Sequence, residues 1–197
     1  MKIIYIGNNI TVQYAAEELK KYLNKMTGIT IDTFNKKNYT EKKEDVIWVG
    51  ESQAFPEINL FEVEDKKIDD LVYADINGKS GIISGNNSRS VLLSVYKYLR
   101  KLGCRWIRPG TNGELIPNII DFSNKEIEFM EQPSYRHRGI CIEGSNSYEH
   151  IHDIIEWAPK LGFNSYFIQF QNAYTFFYSW YGRGDGVWDN PQKFSPQ

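Results

Sequence analysis

The chain has 197 residues and 23.0 kDa, enough for one or two domains with a sizeable core. A formal net charge of −2 and a pI near 6.0 exclude the strongly basic surface that nucleic acid or an anionic membrane calls for. No segment approaches the ~18 apolar residues of a membrane span, and Met1 to Gly7 is too short an apolar run for a signal peptide. The expected location is therefore cytoplasmic, unless a leader has been removed. The unusual quantity is the aromatic share, 15%, with 13 Tyr, 11 Phe and 5 Trp.

In chain order, Ile3 to Ile6 reads as a strand that turns at Gly7-Asn8-Asn9. Thr11 can cap a helix whose buried face is Val12, Ala15, Ala16, Leu19, Leu23 and Met26, closed by Gly28. Ile29 to Phe34 alternates as a half-buried strand, Asn35 to Asp45 is a solvated Lys/Glu-rich loop, and Val46 to Gly50 is a third strand. Residues 51 to 70 carry little pattern beyond Pro56 and a mixed charge run. Leu71 to Ile76 and Gly81 to Ser84 form a hairpin across Asn77-Gly78.

Asn86-Asn87-Ser88 offers caps for a second long helix with buried Val91, Leu92, Val95, Leu99 and Leu102, ended by Gly103. An anion could bind where Ser84 to Ser88 meets this helix, although capping explains those residues as well. Cys104 to Ile107 resumes extended structure. These elements predict an α/β domain over residues 1–130: a mixed sheet with two helices on one face.

A second unit begins at Pro133, which biases Gln132 toward an extended conformation. Gly139-Ile-Cys-Ile-Glu143 reads as a buried strand. A helix follows through Ile151, Ile154, Ile155, Ala158 and Leu161, interrupted by Pro159 and closed by Gly162, and Phe163 to Phe170 is another apolar strand. The strand–helix–strand order predicts the first βαβ of a (β/α)8 barrel over residues 133–197, cut short because a barrel needs about 200 residues or more. Cys104 and Cys141 both fall in predicted strands and read as buried free thiols; no C-x-x-C occurs.

The run Lys101-Leu-Gly-Cys-Arg-Trp-Ile-Arg-Pro-Gly110, then Gly113-Glu-Leu-Ile-Pro117, resembles the N-terminal α/β domain of certain glycoside hydrolases. These are the β-N-acetylhexosaminidases of family 20 and the α-glucuronidases of families 67 and 115. Tyr135-Arg-His-Arg-Gly-Ile140 is similar to the opening of their barrel, and Trp157-Ala-Pro-Lys-Leu-Gly-Phe-Asn164 to the passage into its second strand. The resemblance implies a glycosidase acting on hexosamine- or uronic-acid-containing glycans, with a noncatalytic domain in front of the barrel. It assigns sugar binding to Arg138. Glu143 stands where the family carries Asp, and Asn146 where it carries Arg. The family's catalytic acids lie on later strands, beyond Gln197, so no catalytic residue is assigned and the chain alone is expected to be inactive.

Physical chemistry points the same way. Glycoside hydrolysis uses two carboxyl groups on opposite sides of the scissile bond, about 5–10 Å apart. The two barrel-type strands, ending near Glu143 and Phe170, carry one carboxylate between them. Glu143, at the carboxyl end of an inner strand, either faces a ligand cleft or pairs with Arg136 or Arg138. In a regular strand Arg138 and Glu143 point to opposite faces, so a shared pocket requires a bulge at Gly139.

The aromatics of residues 166–188, Trp180 and Tyr181 among them, either stack on sugar faces at the cleft mouth or pack beneath further strands. The expected substrate-binding residues are thus Arg138, Glu143, Trp180 and Tyr181, with carbohydrate as partner and neither metal nor cofactor. His150 and His152, two apart on a helix, cannot share an ion there. A different reading is a stand-alone carbohydrate-binding or interaction module. Either way, the exposed strand edge at 164–169 invites self-association.

Overall fold

The computed structural model describes residues 1–41, 44–119, 121–143 and 148–169; of residues 142, 143, 148, 168 and 169 it describes the backbone. The first unit comprises β1 (Lys2–Ile6), α1 (Ile10–Thr27), β2 (Asp32–Lys36), β3 (Val46–Glu51), β4 (Val72–Asn77), β5 (Ser80–Gly85), α2 (Ser88–Lys101) and β8 (Glu126–Glu131). A small antiparallel pair, β6 (Arg105–Trp106) with β7 (Glu114–Leu115), is inserted before β8. The six-stranded sheet runs β2-β1-β3-β5-β4-β8. Its first four strands are parallel, and the β4–β5 and β4–β8 pairs are antiparallel.

The helices form where the apolar periodicity places them. Asn9, not Thr11, caps α1: its side chain accepts the Thr11 N–H at 2.9 Å. Asn sits at that position with extended backbone, as an N-cap requires. Gly28 ends the helix at φ 70°, where a Cβ would be strained. Both helices pack on one face of the sheet: Ile3, Ile47, Val49 and Ile83 meet Leu19 and Leu23 of α1 and Val91, Val95 and Leu99 of α2 in one buried cluster.

Among the described residues no α-helix covers the opposite face. Ile4, Val46, Trp48 and Ile82 point there, and Tyr39 and Phe55 cover them, with ring centroids of Tyr39 lying 5.0 Å from Trp48 and 5.1 Å from Phe55. The loop expected to be merely solvated therefore supplies one of the rings that dry this face.

Several expectations shift. The strand read from Ile29 to Phe34 begins later, at Asp32, and lies as an exposed edge. The hairpin turn is Gly78-Lys79, since Asn77 already pairs with Ser80 and Gly78 takes the positive φ. The strand Glu126–Glu131 was not anticipated; its alternation of Glu with Ile127 and Phe129 marks an edge strand with one face inward. Cys104 is buried, but Cys141 is exposed, because its strand is not covered on that side among the described residues.

The second unit is β9 (Gly139–Glu143), α3 (Tyr148–Trp157), a 3₁₀ turn (Ala158–Leu161) and β10 (Ser165–Gln169). Pro159 ends the α-helical hydrogen bonding, and Gly162 closes the turn at φ 95°. β9 and β10 pair in parallel and residue for residue, Gly139 with Ser165 through Glu143 with Gln169, so Gly139 carries no bulge. This is a βαβ unit; no barrel is present among the described residues. No described helix is long and apolar enough to cross a membrane.

The rings on the helix-free face are core, not ornament. Phe55→Ala, at a site 1% exposed, is expected to cost about 3–5 kcal/mol, read from the urea midpoint. A cost below about 1 kcal/mol, the range of ordinary surface changes, would show that this face needs no cover.

Candidate functional site at the junction of the two units

The charged side chains converge where the loop before β4 meets the segment entering β9. Asp69 and Asp70 are held there by the β5–α2 loop. Asn86 accepts the Leu71 N–H at 2.8 Å and donates to the Asp69 carbonyl at 2.9 Å, and Asn87 donates to the same carbonyl at 2.9 Å. Asn87 also caps α2 by accepting the Ser90 N–H.

The Asp70 carboxylate is fully buried. One oxygen accepts from Arg89 Nε and Ser90 Oγ, each at 2.9 Å; the other accepts from Arg138 Nη2 at 2.7 Å and Asn164 Nδ2 at 2.8 Å. Burial by itself would raise its pKa, but Arg138, Asn164, Arg89 and Ser90 outweigh burial and hold the carboxyl below its ordinary range. The place at the start of α2 where sequence allowed an external anion is thus taken by an internal one.

Arg138 is spent inside the protein. Besides Asp70, its guanidinium donates to the carbonyls of Gly162 at 2.8 Å, Tyr135 at 2.8 Å and Arg136 at 3.4 Å. Asn164 completes the joint: it accepts the Arg138 N–H at 2.9 Å and donates to the Arg136 carbonyl at 2.8 Å. Arg136 grips Asp69 with both Nε (2.5 Å) and Nη2 (3.1 Å) and reaches Glu64 at 2.9 Å. Hydrogen bonding to Arg136 depresses the Asp69 pKa. A polar cleft of about 280 Å³ opens over these residues, floored by Asp69, Asp70, Arg136 and Arg138.

A second buried carboxylate ties the two units elsewhere. Glu114, the acid of the Gly113-Glu-Leu-Ile-Pro117 run, accepts from the Tyr22 hydroxyl of α1, from Lys25 Nζ at 3.0 Å and from Lys160 Nζ at 3.4 Å. Trp106 Nε1 donates to the Tyr22 oxygen at 3.0 Å, and Trp157 Nε1 to the Trp106 carbonyl at 2.9 Å. Burial opposes ionisation of Glu114, yet Tyr22, Lys25 and Lys160 together keep its pKa low.

Of the residues expected at a sugar site, Arg138 lies in the Asp70 joint, at the amino end of β9. Glu143 is the last residue of β9, opposite Gln169; its side chain, and Trp180 and Tyr181 altogether, lie outside the described residues. Arg136 and Arg138 pair with Asp69, Glu64 and Asp70. His150 and His152 are exposed on α3, and no group of three potential ligand side chains is placed to hold a metal among the described residues. Sequence reasoning missed Asp70 and Glu114. The available signal was an acid directly before an apolar strand, and an acid inside a motif otherwise made of turn and apolar residues.

No family model matches this chain, and no curated protein does.

Asp70→Asn leaves Arg89 and Arg138 facing a neutral group where a fully buried carboxylate stood, and is expected to cost up to about 3 kcal/mol, the exposure of Arg89 to solvent holding it to the lower end for a broken buried pair. Because the folded pKa of Asp70 is lowered, its contribution is present above the unfolded value of about 3.9 and lost as pH falls through the folded value. Stability of the parent protein is therefore expected to decline below about pH 4, and the Asn variant to show a shallower acid slope. An unchanged slope would contradict the assignment.

Proposed function

We propose that the chain is the N-terminal part of a glycoside hydrolase acting on hexosamine- or uronic-acid-containing glycans. In this reading the six-stranded unit is a noncatalytic support, and β9–α3–β10 is the first βαβ of a (β/α)8 barrel whose catalytic acids come from later strands. The ordered motifs over 101–117 and 135–164 suggest the family.

One observation carries the reading. The support unit grips the parallel pair at its amino end, through Arg138 just before β9 and Asn164 just before β10, both on Asp70. That leaves the carboxyl ends, Glu143 and Gln169, about 16 Å away at ~3.3 Å per residue. Barrel enzymes work at that carboxyl face, and conservation of shape at the other face serves stability. Arg138 then acts as a positioning residue for the first two strands rather than as a sugar ligand, and Glu143 stands at the ligand end. The outer edges of the β9–β10 pair are where further strands, or a second copy of the chain, would add.

The test is an assay of residues 1–197, and of the polypeptide extended through its downstream reading frame, on chromogenic N-acetylhexosaminides and glucuronides. The expected result is turnover by the extended protein and none by residues 1–197. Turnover by the shorter chain would overturn the placement of the acids. A reading frame that stops at residue 197, or an extended protein inert on both substrate classes, would overturn the glycosidase reading.

A further inference from the structure

A second cleft, of about 210 Å³, lies between the C-terminal half of α2 and the turn entering β10. Its charged lining is Lys97 and Arg100 of α2, Glu131 at the end of β8, and the edge of Arg138. Its apolar lining includes Leu93, Val72 and Leu161. Two of the three cations are matched: Lys97 by Glu131 and Arg138 by Asp70.

Arg100 has no such match among the described residues. It is half-buried, and the one hydrogen bond its guanidinium makes with them is long, Nη1 to the Leu161 carbonyl at 3.4 Å. Among the described residues no carboxylate lies within ion-pairing distance of it. Burial and the neighbouring Arg105 both disfavour its charge, and Glu131 favours it. A planar cation with unmet donors, beside an apolar wall, is what a small carboxylate with a short alkyl body would complement: the fork takes both oxygens, and the wall takes the carbons.

We propose that this cleft binds a small aliphatic carboxylate, its two oxygens on the Arg100 guanidinium and its alkyl end against Leu93 and Leu161. Leu161 and Gly162 belong to the turn that Arg138 also holds, so the bound acid would add a bridge between the two units at a point distinct from the Asp70 joint. The inference stands apart from the glycosidase reading.

The experiment is an amide-resolved NMR titration of residues 1–197 with propionate and, in parallel, inorganic phosphate, at constant ionic strength. The expected result is saturable propionate binding on the order of millimolar, as suits a ligand of a few heavy atoms, with shifts concentrated at Lys97, Arg100, Leu161 and Gly162. Arg100→Gln is expected to weaken it about tenfold or more, the loss of a charge-assisted fork, whereas Arg105→Gln retains it. Non-saturable shifts, shifts centred elsewhere, or equal binding by Arg100→Gln would each overturn the proposal. Phosphate binding tighter than propionate would overturn the choice of a carboxylate. The map on the unaltered protein decides the matter even if Arg100→Gln fails to fold.

Discussion

Asp70 is a full negative charge withdrawn from water, and the arrangement around it follows from the cost of that burial. A buried carboxylate survives ionised only if its lone pairs are met. The donors come from three places in the chain: Arg89 and Ser90 at the start of α2, Arg138 before β9, and Asn164 before β10. The start of α2 adds the positive end of its peptide dipoles. These three places are far apart in sequence, yet each is fixed by the same two oxygen atoms. Such a centre specifies geometry more than it adds stability, since the net worth of a buried ion pair is small beside the penalty for breaking it.

Glu114 repeats the arrangement with different chemistry. Its partners are a phenol and two ammonium groups, and the indoles of Trp106 and Trp157 extend the network from α1 toward the end of α3. Between them, the two carboxylates hold both the strand entrances and the helix end of the βαβ unit against the six-stranded unit. A short parallel pair such as β9–β10 could not hold its place alone, because two strands bury too little to be stable in water. Its placement is borrowed from the sheet and helices beneath it.

Much of the first unit was legible because burial imposes a period. The faces of α1 and α2 follow from apolar spacing, Gly28 from the need for a left-handed cap, and the end of α3 from Pro159. The joint was not legible, and the reason is physical. Asp69 and Asp70 sit in a run of charges that a linear reading treats as solvated, and only the fold brings Arg136 and Arg138, 67 and 68 residues away, onto them. Arg138 drew attention as a ligand for sugar hydroxyls, a role that its residue type permits equally well as a partner for Asp70. Local caps also mislead by small steps: Asn9 and Thr11 are both competent, and only the observed backbone at Asn9 decides.

The central claim is that Asp70 fixes the βαβ unit on the first unit. It is tested most directly by hydrogen exchange of backbone amides in Asp70→Ala compared with the parent protein. The account predicts that protection is lost at residues 139–143 and 165–169 well before it is lost in β1, β3 and β5. Equal loss in all five strands, or undiminished protection of β9 and β10, would contradict it.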